Sequence, residues 1–152
     1  DALRPLPFLS GTAPDKAAAG SDSKAESSPL TRIKTSADLD AQLARAVAAG
    51  QPVMLDFYAD WCVSCKELEK YTFPDPAVRK ALASAITLQA DVTAMDADDQ
   101  ALMKRFGIIG PPTIVFFSAT GTEQPALRVV GFMKAAAFAA HLRSAFAPPP
   151  GS

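Results

Sequence analysis

The sequence predicts an α/β domain, a central mixed β-sheet flanked by helices on both faces. Three observations carry that prediction. Strand-like and helix-like runs alternate between residues 31 and 146, and strands separated by helices are joined by crossovers that cover both sides of a sheet. The last two extended runs have no helix between them; the turn Ala119-Thr120-Gly121-Thr122 lies in their connection, which closes a hairpin and makes the sheet mixed. A length of 152 residues suits one domain, and a hydrophobic content of 49% is ample for its core.

The elements follow in order from local signals. A first helix spans Ser36 to Ala49, with Leu39, Leu43 and Val47 on one stripe and Gly50 as its stop. Val53-Met54-Leu55-Asp56-Phe57-Tyr58 is a run of strand formers. A helix beginning near Cys62 runs to about Tyr71, and a turn at Phe73-Pro74 leads to Asp75 as N-cap and Pro76 at the first helical position of a helix reaching about Ser84. Ile86 to Asp91 is a second strand. From about Asp96 to Phe106 a helix carries acids in its first turn, Lys104 and Arg105 in its last, and Gly107 as its stop. Thr113 to Phe117 is a strand, and Ala126 to Val130 pairs back on it. The final helix buries Phe138, Leu142 and Phe146, with His141 flanking that stripe as a surface or packing residue.

Outside these elements, residues 1–30 form a tail rich in Pro, Ala, Ser and Gly, with Phe8 its only aromatic residue; such a segment cannot bury enough surface to fold and is expected to act as a flexible linker. Residues 147–152 are expected to be a second tail. A formal net charge of −1, with no dense Lys/Arg cluster, argues against nucleic acid as a partner. No segment is long and apolar enough to span a membrane and no signal peptide opens the chain, so the expectation is a soluble, monomeric piece that begins as an excised domain.

Both cysteines of the chain lie in Cys62-Val63-Ser64-Cys65, between a strand and a helix. At that spacing the two thiols share one helix face and sit close enough for a disulfide. Cys62, at the helix start, is expected to be the exposed thiol, with nearby backbone N–H groups and the helix dipole favouring its thiolate; Cys65 is tucked inside the first turn. The chemistry that follows is thiol–disulfide exchange, with Cys62 attacking and Cys65 resolving. A structural disulfide is the plainest competitor, but a bridge over two residues closes a loop too short to stabilise much by chain entropy. Zinc commonly needs four Cys or His ligands and only His141 remains, so no metal is expected. A Cys–His hydrolase using His141 stays open by counting, yet leaves Cys65 unexplained.

Other residues gather around this motif. Asp56 is an acid in an apolar strand six residues before Cys62; if buried it must be protonated, paired or hydrogen-bonded and suits a proton carrier for the thiols, the alternative being a strand-end acid that reaches water. Glu69 follows Cys65 by four residues and Cys62 by seven, which puts it on the same helix face, although it also belongs to an ordinary charged run with Lys66, Glu67 and Lys70. Trp61 is placed to cover the site and shape a docking surface, with ordinary packing as the alternative. Lys66 either offers a charge to the thiols or is simply solvated.

The stretch Asp56-Phe57-Tyr58-Ala59-Asp60-Trp61-Cys62-Val63-Ser64-Cys65-Lys66 resembles the active-site segment of thioredoxins, and the element order over residues 31–146 is similar to theirs. Tyr58 to Phe73, with Gly131-Phe132-Met133, looks more particularly like the C-terminal periplasmic domain of the DsbD family of transmembrane thiol–disulfide reductases, since thioredoxins usually carry Gly-Pro between the cysteines. The resemblance implies a thioredoxin fold and a catalytic set of Cys62, Cys65, Asp56 and Glu69, the two acids matching acidic positions of the relatives. It implies docking by Trp61, Pro111, Pro112 and Phe132, with a cis bond at Pro112, where spacing alone leaves trans as the ordinary state. Pro111 lacks the N–H that thioredoxins offer a bound chain at that position, which suits dedicated partner domains better than many unfolded chains. No cofactor is implied beyond the Cys62–Cys65 disulfide. The implied partners are a transmembrane cysteine pair as electron donor and an N-terminal periplasmic domain as acceptor, in one reductase of the periplasm and of cytochrome c biogenesis, with residues 1–30 as the tether. A free-standing thioredoxin, a cytochrome-maturation reductase and a non-catalytic binding module with an inert disulfide remain open beside it.

Overall fold

The computed structural model describes residues 30–147, so the two expected tails lie outside the described residues except for Leu30 and Ala147. Five strands form one sheet in the order β1-β3-β2-β4-β5. These are β1 (Thr31–Ile33), β2 (Val53–Tyr58), β3 (Ile86–Asp91), β4 (Thr113–Phe117) and β5 (Val129–Val130). β1, β2 and β3 run parallel, and β4 lies antiparallel to β2 on one side and to β5 on the other, giving the mixed sheet. Helices α1 (Ser36–Ala49), α2 (Val63–Glu67), α3 (Pro76–Leu82), α4 (Ala97–Arg105) and α5 (Ala135–Ala145) complete it.

Alternation along β2 sorts the core. Val53, Leu55 and Phe57 face one cluster with Leu39 of α1 and Leu102 of α4, whereas Met54 faces the other with Val78 of α3 and Phe138 and Leu142 of α5. Both faces of the central strand are therefore covered, which explains a burial pattern with no exposed position along it.

Several local signals act as the sequence suggests. Asp75 caps α3 by accepting from the N–H of Ala77 at 2.8 Å, with Pro76 behind it. Asp96 caps α4 in a reciprocal box with Asp99, and the buried Asp99 is further satisfied by Lys34 Nζ at 2.7 Å. His141 is a packing residue: its Nε2 lies 2.7 Å from the carbonyl of Leu127 and its ring meets Phe116 edge-on.

Other expectations need correction. Strand β1 escapes sequence reading because three residues show no periodicity, and its partner β3 supplies its order. On α1 the buried face is Leu39 and Ala46 with Leu43 partly covered, while Val47 is half exposed; a period of 3.6 carries the stripe past it. The helix expected over 62–71 breaks into α2 and a π-helical turn, Leu68–Thr72, in which the N–H of Phe73 reaches Leu68 across five residues. Helix α3 stops at Leu82, short of Ser84, where the N–H of Ala83 turns to Lys80. The second arm of the hairpin is mostly a 3₁₀ turn, Pro125–Leu127: Val129 and Val130 pair with β4 and Glu123 makes a single bridge to Phe117, but Pro125 has no N–H to continue a ladder between them.

Candidate active site

The register of the sheet gathers the site at one end. Tyr58 ends β2 opposite Asp91, the last residue of β3, and Thr113 opens β4 opposite Phe57 and Val130. The loop carrying Trp61 and Cys62, the loop after β3, the Gly110-Pro111-Pro112 loop and the Gly131-Phe132 loop therefore emerge side by side.

Cys62 and Cys65 form a disulfide, with Cα atoms 5.3 Å apart. Cys62 is the N-cap of α2, and its Sγ accepts the N–H of Cys65 at 3.1 Å. The expectation of an exposed Cys62 is corrected: it is 7% exposed against 2% for Cys65. Capping folds the sulfur over the first turn instead of turning it to solvent. The Sγ of Cys65 lies 4.0 Å from the carbonyl oxygen of Phe57, directly after Asp56.

Asp56 is 2% exposed, on the face of β2 that looks toward the turn Leu68–Thr72. Its Oδ2 accepts from Gln89 Nε2 at 3.0 Å, and its Oδ1 is buried without a hydrogen-bond partner among the described residues. Burial pushes the carboxyl up to about 7; Gln89 opposes this by hydrogen bonding, the charge of Glu69 adds to it and that of Arg32 works against it. Glu69, half-buried, receives the same amide through Oε2 at 3.1 Å. The two acids foreseen for the site are thus brought together, and the group that joins them, Gln89, is one sequence reading missed. A polar residue in the middle of the β3 run was the available signal.

Lys66 does not address the sulfurs. Its Nζ donates to the Tyr58 hydroxyl at 2.6 Å and lies 3.9 Å from Asp60, which also accepts from that hydroxyl. The hydrogen bond to Tyr58 raises the Lys66 pKa, while burial raises that of Tyr58.

Trp61 is 56% exposed and is held by its Nε1, which donates to the carbonyl of Thr93 at 3.1 Å. The Pro111–Pro112 bond is cis, and the Pro112 carbonyl accepts from Gly131 N at 3.0 Å, fastening the two loops together. Phe132 is 39% exposed, and Val63, Ile109 and Val130 expose apolar surface at the same end. The last three were not foreseen, because nothing in a sequence distinguishes an apolar residue left outside from one buried. Among the described residues no group of three or more His, Cys, Asp or Glu is placed to hold a metal ion.

A thioredoxin-like domain model matches residues 39–146. The oxidised C-terminal domain of DsbD from Neisseria meningitidis superposes with a TM-score of 0.66 at 35% identity, covering 76% of this chain and 99% of that one. The chain belongs to the DsbD C-terminal domains of the thioredoxin-like family. The thiol:disulfide interchange protein DsbD of Ralstonia nicotianae is 52% identical over 141 residues, which is 93% of this chain and 23% of that protein. That of Escherichia coli K12 is 58% identical over 114 residues, 75% of this chain and 20% of that protein. The chain thus spans about a fifth of the length of these DsbD relatives. Together with the Cys62–Cys65 bridge, these likenesses support a thiol–disulfide oxidoreductase.

Proposed function

We propose that this chain relays electrons as the C-terminal domain of a DsbD-type reductase in the periplasm, accepting them from a membrane-embedded cysteine pair and passing them to an N-terminal periplasmic domain. The observation that carries the reading is the Cys62–Cys65 disulfide, whose Cys65 Sγ lies 4.0 Å from the carbonyl oxygen of the residue after Asp56, a buried carboxyl pushed up to about 7.

In the donor half-reaction the Cys62 thiolate attacks one sulfur of the partner disulfide, forming a mixed disulfide and expelling the other partner sulfur as a thiolate. Cys65 then attacks the Cys62 sulfur. Its S–H proton passes to the Asp56 carboxylate, the Cys62–Cys65 bond forms, and the second partner sulfur leaves with the electron pair. The partner gains two electrons and the chain loses two. A carboxyl near pKa 7 exchanges such a proton with little driving force wasted in either direction. Trp61, Phe132, Ile109 and the Pro111–Pro112 loop supply the apolar surface around the sulfurs on which a folded partner docks.

The test is trapping. A Cys65→Ala chain cannot resolve a mixed disulfide, so incubation with membranes and periplasmic extract is expected to yield an adduct through Cys62 whose partner peptide carries a cysteine of the membrane domain or of the N-terminal domain. The reading fails if neither adduct forms and the native Cys62–Cys65 bond resists every dithiol offered.

A further inference from the structure

The sheet register lines up three polar residues across three strands. Arg32 on β1 is opposite Gln89 on β3, and Gln89 is opposite Asp56 on β2. Residues so registered point to the same face, and their side chains form a continuous chain: Arg32 Nε donates to Gln89 Oε1 at 3.0 Å, and Gln89 Nε2 donates to Asp56 Oδ2 and Glu69 Oε2 at 3.0 and 3.1 Å.

The chemistry of this row permits one orientation of the Gln89 amide. A guanidinium has only donors and an ionised carboxylate only acceptors. Turning the amide over would set its NH₂ against the Arg32 N–H and its oxygen against two carboxyl groups, three favourable contacts of donor with acceptor becoming repulsive ones. Arg32 is itself held on other sides, by Asp91 Oδ2 at 3.0 Å and by the face of the Tyr58 ring at 5.8 Å from its centroid. Gln89 is 1% exposed, so water offers no substitute partner.

We propose that Arg32 is a positioning residue for the dithiol site: through Gln89 it holds an N–H on Asp56 Oδ2, so that the proton Asp56 exchanges with the thiols is confined to Oδ1. The proposal rests on the reading of Asp56 as proton carrier and deepens it. With Oδ2 receiving a donor, a proton on that oxygen would face another hydrogen; Oδ1 is the oxygen left without a partner. An edge strand remote in sequence from the cysteines thus sets which carboxyl oxygen works. The charged groups acting on Asp56 are Glu69 from the π-helical turn and Arg32 from β1, itself paired with Asp91 on β3; its β4 neighbour Ile114 carries no charge.

The test follows the Asp56 side-chain carboxyl by carbon NMR in the oxidised chain between pH 4 and 9, in wild type, Arg32→Met, Gln89→Met and the double variant. Arg32→Met and Gln89→Met are each expected to raise the Asp56 midpoint by about one pH unit, a tenfold change in proton affinity. Because Arg32 acts through the amide, its removal in the Gln89→Met background should add less than about a third of its effect alone. Arg32→Met, which alters an exposed edge, supplies a second arm: its shift should persist at 1 M salt, where screening acts within about 3 Å. No shift in Arg32→Met, additive shifts in the double variant, or a shift abolished by salt would each overturn the proposal. The titration needs no thiol exchange, so it reports on the row of side chains even if trapping fails, and trapping reports on exchange even if the row proves idle.

Discussion

Replacing Asp56 with asparagine in the oxidised chain should change the stability of the fold in a manner that depends on pH. In the native chain the Asp56 carboxyl is raised from 3.8 to about 7, chiefly by burial. Between those two values the folded chain holds a proton that the unfolded chain has released. Stability from this group is therefore present in full below about pH 4 and falls away as pH rises through about 7, by roughly 4 kcal/mol in all. Asparagine keeps an oxygen for Gln89 but places an NH₂ where Oδ1 has no partner, a penalty of about 1–3 kcal/mol at every pH. The variant should thus be less stable than wild type at pH 4.5 and more stable at pH 8.5. Urea unfolding of both oxidised proteins across this range, compared as a difference so that the other titrating groups cancel, measures the effect. A difference that stays flat to within about 1 kcal/mol from pH 4.5 to 8.5 would refute a raised Asp56.

Three further outcomes test the neighbouring structure. Glu69→Gln removes the charge that helps raise Asp56, so the Asp56 midpoint should fall below about 7 in the carbon NMR titration. Phe138 is fully buried against Phe73, with ring centroids 5.8 Å apart, and Phe138→Ala should cost about 3–5 kcal/mol in urea unfolding. Gly121 has φ of 85°, and a Cβ there would come within 2.9 Å of Val47 Cγ2. Gly121→Ala should cost about 1–3 kcal/mol by the same assay, and Val47→Ala should recover the steric part but leave the backbone part.

Much of the fold was legible because its signals are local. The Asp75-Pro76 cap, the acids opening α4 and the strand formers of β2 act within a few residues of themselves, and all three elements begin where expected. What escaped was set by distant partners. β1 is ordered by β3, and the burial of Ala46 in place of Val47 depends on how α1 rolls on the sheet. The break of the cysteine helix into a π-helical turn accompanies a hydrogen bond from the Thr72 hydroxyl to the Met133 carbonyl at 2.6 Å, a contact across sixty-one positions of sequence.

The candidate site divides along the same line. The sequence by itself determined the dithiol, because spacing and the start of a helix are enough to bring two sulfurs together, and it placed Asp56 in an apolar strand where a carboxyl must be protonated or paired. Only the tertiary structure decided how that carboxyl is held. Parallel pairing of β1 on β3 and β3 on β2 set Arg32, Gln89 and Asp56 in one row, and packing of the turn Leu68–Thr72 on that face added Glu69. The register of strands far apart in sequence is fixed by the burial of whole faces, so a proton site that depends on register comes into being only when the sheet does.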